Sequence, residues 1–130
     1  TTSPKLATGL AEDVRPFNPA QDTTRTRVNQ IAEALTPKAQ HRSIYQTGRN
    51  LPAMGYLAND LLVLDLNRQP KSGDIVVVNV VDEKIGSAET VIRQYFPPFL
   101  VSAAGEKPYE LGRDTLSIMG VVAASIRAEF

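Results

Sequence analysis

From Ser43 onward the apolar residues fall in short runs divided by Gly, Pro, Asn or Asp, the pattern of strands separated by turns. The predicted strands are Ser43–Thr47, Asp60–Leu66, Asp74–Val81, Glu89–Phe96, Phe99–Ala103 and Thr115–Arg127. Asp74–Val81 is almost wholly apolar, which predicts a central strand covered on both faces. Glu89–Phe96 alternates, with Val91, Arg93 and Tyr95 on one side and Thr90, Ile92 and Gln94 on the other. Pro97-Pro98 ends that run, because neither residue can donate to a ladder. Close spacing without intervening helices predicts a mainly β fold, an antiparallel barrel-like sheet. Gly120 inside the last run predicts a bulge or a close backbone approach.

Upstream the period changes. Val28, Ile31, Ala32 and Leu35 recur at helical spacing, so residues 23–36 are predicted as a short helix, capped by Asp22 or Thr23 and stopped by Pro37. Its stripe is expected to dock on the sheet, the alternative being a dimer or inter-domain contact. Residues 1–22 carry Pro4, Pro16 and Pro19 among small polar residues and predict a linker or surface arm. The domain proper is then 23–130, with its β region at 43–128.

Composition narrows the chemistry. The chain has 130 residues, enough for one core, and no cysteine, which excludes disulfides and thiolate metal sites. A single histidine, His41, argues against a histidine-rich metal centre, and no cofactor is expected. Fourteen basic residues balance fourteen acidic ones, so the domain lacks the net basic charge that free-standing DNA binders use to displace counterions. The lack of an apolar membrane-spanning run and of a signal-peptide pattern makes the cytoplasm, here of a bacterial host cell, the expected compartment.

Three groups of motifs stand in order. Thr47-Gly48-Arg49-Asn50-Leu51 leads into Asn59-Asp60-Leu61-Leu62-Val63; Ser72-Gly73-Asp74-Ile75-Val76 is followed by Thr90-Val91-Ile92-Arg93; Lys107-Pro108-Tyr109-Glu110-Leu111 precedes Asp114-Thr115-Leu116 and the closing Gly120-Val121-Val122. Together they resemble the C-terminal domain shared by LexA, the self-cleaving phage repressors and UmuD. The resemblance covers residues 43–128. Gly73-Asp74 and Asn59-Asp60 also suit turns tipping into strands, since Gly, Asn and Asp tolerate left-handed backbone.

The family cleaves its own linker with a serine nucleophile and a lysine base. A serine hydroxyl needs an adjacent base, and a desolvated lysine can serve. Carried onto this sequence, the serine position falls on Asn50 and the lysine position on Ile92. An amide and an alkyl group can do neither job, so the dyad is degenerate and no enzyme activity is expected. The family's Ala-Gly or Cys-Gly scissile pair is also absent upstream; the single Ala-Gly is Ala104-Gly105.

The resemblance therefore implies an oligomerisation domain of a phage or prophage transcriptional repressor. It would form homodimers or larger homo-oligomers, reach operator DNA through an N-terminal helix-turn-helix head outside this sequence, and be relieved by an antirepressor protein or by another proteolytic route. Two other functions compete. One is a UmuD-like accessory subunit that binds a partner protein. The other is an active self-cleaving peptidase whose dyad lies elsewhere, with Ser43, Thr47 or Ser72 paired to Lys38, Lys71 or Lys84. Lys84 falls in an apparent hairpin loop, His41 suits a surface, and Arg93 suits a strand arginine snorkelling to the sheet edge, or else a ligand anchor. The final run has apolar or small residues on both faces, and Ser117, Met119, Val121, Ala123 and Ser125 are the predicted dimer face. The alternative is a central strand buried within one chain.

Overall fold

A computed structural model describes residues 13–127. It holds one antiparallel sheet of eight strands, in the order β1-β2-β3-β8-β4-β5-β6-β7. The strands are β1 (Val14–Pro16), β2 (Arg42–Thr47), β3 (Leu61–Asp65), β4 (Ile75–Asp82), β5 (Ser87–Phe96), β6 (Phe99–Val101), β7 (Tyr109–Glu110) and β8 (Leu116–Ile126). Helix α1 (Asp22–Leu35) joins β1 to β2. The mainly β expectation holds, and all six predicted runs lie within two residues of an observed strand at each end. Phe99–Ala103 keeps its first three residues as β6.

Barrel closure does not hold. The sheet keeps two edge strands, β1 and β7, with no ladder between them. The strands toward its ends, β1, β6 and β7, are only three, three and two residues long, too short to carry pairing around a circle. β1 itself lies inside the predicted linker. Val14 is buried, and its pairing with Thr47 makes this stretch part of the sheet rather than an arm upon it.

Alternation divides the core. Leu62, Leu64, Val77 and Ile92 pack on one face with Val14, Tyr45, Leu51 and Tyr56. Their neighbours face the other way: Val76, Val78 and Val91 join Leu100 and Val121, while Leu61 and Val63 meet Val28 and Ala32 of α1. The helix therefore docks on its own sheet, although Ile31 and Leu35 stay exposed. Its N-cap is Gln21, with no side-chain hydrogen bond, so neither Asp22 nor Thr23 caps it. At the other end Thr36 donates both its backbone N–H and its hydroxyl to the Ala32 carbonyl before Pro37 stops the turn.

The predicted irregularity at Gly120 is present in both senses. Along β4, Val77 faces Gly120 and Val78 faces Ile118, leaving Met119 as an extra residue; along β3, Ala123 is extra in the same way. Each bulge reverses the alternation, which is why Leu116, Ile118 and Val121 all reach one core cluster. A Cβ on Gly120 would lie 3.2 Å from the Leu64 Cβ and 3.3 Å from the Asp65 carbonyl oxygen, a tight contact in which a larger residue would push its neighbours by a few tenths of an ångström. The turns behave as the sequence suggests too, with Asn59 at φ 70° and Gly73 at φ 95°.

Candidate functional site

The loop after β2 carries Asn50, and β5 carries Ile92. Asn50 is exposed, and its side-chain oxygen accepts the Ala58 N–H at 2.8 Å, which ties the loop to itself. Ile92 is 1% exposed and belongs to the same core cluster as Leu51, the neighbour of Asn50. The fold thus brings the strand of one position to the loop of the other. Neither side chain offers a nucleophile or a base.

Between them stands a buried ion cluster that sequence spacing did not reveal. Asp13 is almost fully buried. Its Oδ1 accepts from Arg49 Nε at 2.7 Å, and its Oδ2 accepts from the Ile92 backbone N–H at 3.0 Å and from Arg93 Nη1 at 3.2 Å. Arg49 reaches on to Glu106 at 2.7 Å, and Ser102 donates to the same carboxylate at 3.0 Å. The Arg49 bond, against the cost of burial, holds the Glu106 carboxyl below its ordinary range. Arg93 does not snorkel. Its side chain is buried, it donates to the Ile92 carbonyl at 2.7 Å, and its guanidinium lies 5.0 Å from the Tyr109 ring centroid. Its Nε–H finds no acceptor among the described residues. Arginine keeps its proton, so Arg49 and Arg93 can orient and lock the two carboxylates but cannot themselves act as bases.

A cleft of about 720 Å³ opens beside it, with Arg93, Tyr109, Val91, Phe99 and Glu106 among its walls. Burial, with Glu89 nearby, raises the Tyr109 hydroxyl above its usual value.

A second clamp fixes the Asn50 loop from the other side. Asp60 is buried at the start of β3, and Arg127 grips its two oxygens at 2.9 and 2.8 Å while donating also to the Gly55 carbonyl. Thr47 completes the tie, donating its hydroxyl to the Leu57 carbonyl and accepting the Asp60 N–H. The Arg127 hydrogen bonds, helped by the Leu57 N–H and opposed by burial, hold the Asp60 carboxyl below its ordinary value. Unfolding releases Asp60 to an ordinary pKa of about 4. The clamp therefore contributes fully above that pH, and its contribution falls away as pH drops through it toward the lower folded value. Urea unfolding at a series of pH values should show stability falling below about pH 4, with a shallower fall in Asp60→Asn.

The remaining candidates do not converge. Lys71, Ser72 and Lys84 are exposed in turns, His41 is exposed, and Ser43 faces Leu64 across the β2–β3 ladder. No described lysine side chain donates to a serine or threonine hydroxyl. On β8, Ser117, Ala123 and Ser125 are exposed and Met119 is half-buried, whereas Val121 is 1% exposed inside the chain's own core. β8 is hydrogen-bonded on both sides, to β3 and β4, so it is a central strand and not an edge. Val121 is therefore removed from the predicted dimer face. No described helix is long and apolar enough to cross a membrane. No protein-family model matches the chain, and no curated protein matches it.

Proposed function

We propose that this chain is the non-catalytic assembly domain of a LexA-like, phage-type transcriptional repressor. One observation carries the reading. The positions that the resemblance gives to nucleophile and base hold an exposed, hydrogen-bonded Asn50 and a core Ile92, and buried Asp13 is salted between the arginines that follow Ile92 and precede Asn50. On this reading the two positions keep neither the nucleophile nor the base of a serine–lysine centre. The domain's role is then to hold two copies together. Linking two weak DNA-binding heads raises their effective concentration on a two-fold operator, so the domain itself needs no basic face. Relief of repression would run through an antirepressor protein or another protease rather than through self-cleavage.

Inertness is the direct test. Incubated at alkaline pH, where a lysine base would be deprotonated, the full-length natural protein is expected to remain a single band on a denaturing gel. Fragments that disappear when Asn50 or a neighbouring serine is replaced would overturn the reading.

A further inference from the structure

We propose that the C-terminal end of α1, with the end of β3 beside it, is the face through which two copies of this chain meet. The proposal rests on the assembly reading above and adds where the contact lies. α1 commits only half of its apolar stripe to its own sheet. Val28 and Ala32 are buried, whereas Ile31 and Leu35, one turn apart, are 37% and 50% exposed. Past Leu35 the chain turns and leaves an open dent of about 400 Å³, with Leu35, Pro37 and Ala39 among its walls.

The charges on the rim select the occupant. Lys38 and Asp65 both line the dent. Lys38 is exposed and makes no ion pair among the described residues. The Asp65 carboxylate accepts the Asn67 backbone N–H at 3.0 Å and meets no cation among them either. Arg68, also on the rim, is drawn to Asp74 at 3.4 Å, which leaves Lys38 as the free base. One acid and one base on the same apolar patch form a self-complementary pattern. Across a two-fold axis Lys38 meets the partner's Asp65, Asp65 meets the partner's Lys38, and each Leu35 packs toward the opposite dent. A partner of a single charge would satisfy one rim residue and repel the other.

Charge reversal on the whole chain tests this by sedimentation equilibrium. Lys38→Glu places like charges opposite each other twice, and so does Asp65→Lys. Each variant is expected to stay folded and to sediment at no more than half the mass of the unmodified chain. An equal mixture of the two should recover the lost assembly, because each variant then carries the charges that the other lacks. The proposal is overturned if either variant keeps the unmodified mass, or if the mixture stays dissociated. It is overturned too if either variant fails to fold by circular dichroism, since that residue would then serve its own chain. An unmodified chain that is monomeric contradicts the assembly reading itself; an unmodified oligomer that both variants preserve contradicts only this placement of the contact.

Discussion

Ile92→Lys is expected to lower the stability of the domain by roughly 3–5 kcal/mol, or to force the new amine to stay neutral at pH 7. The side chain at 92 is shut among Leu62, Leu64 and Val77 in the core. The nearest carboxylate cannot rescue it, because the Asp13 oxygens already serve Arg49, Arg93 and the Ile92 N–H. Ile92→Val, which only trims a methylene, should cost about 0.5–1.5 kcal/mol and serves as the control. Urea unfolding of the two variants measures both. Equal midpoints for Ile92→Lys and the unmodified protein would place residue 92 on the surface and undo the reading of the degenerate base position.

The second large effect separates two residues of β8 that the sequence put on one face. Val121→Glu should destabilise by several kcal/mol, because it buries an unpaired carboxylate between β3 and β4. Ala123→Glu should leave the melting temperature within a few degrees of the original, since Ala123 is the exposed extra residue of a bulge. Thermal melts of the two proteins decide this. Similar melting temperatures would mean that the bulges lie elsewhere in the strand.

Why the sequence misled here is a matter of register. Strict alternation assigns Ser117, Met119, Val121, Ala123 and Ser125 to one face, but extra residues at Met119 and Ala123 each reverse the sides. Gly120 signalled one irregularity; nothing in the composition marks a second at Ala123. β3 and β4 were legible because each is a run of aliphatic residues flanked by Gly, Asn or Asp, and β5 because apolar and polar residues alternate along it up to Pro97. β1 and β7 were not, since two or three residues carry no period, and Val14-Arg15-Pro16 sits in a proline-bearing stretch that resembles a linker. Central burial of β4 followed directly from its apolar run, with Val76, Val77 and Val78 fully buried.

Motif order singled out Asn50 and Ile92, and Leu51, next to Asn50, shares a core cluster with Ile92. The ion cluster stayed hidden because its members lie far apart in the chain: Asp13 meets Arg93 across 80 positions and Arg49 meets Glu106 across 57. A charged residue in a strand reads as surface by default, and only the arrival of Asp13 from the presumed linker makes burial of Arg93 affordable. The Asp60–Arg127 clamp spans 67 positions and was missed for the same reason.

The central claim is that this domain exists to bring copies of itself together. Sedimentation equilibrium of the 130-residue chain tests that most directly. The expected result is a dimer or larger homo-oligomer, which Ser125→Glu converts to a folded monomer if the exposed part of β8 forms the contact. A chain that sediments as a monomer at the highest concentration it tolerates would contradict the account.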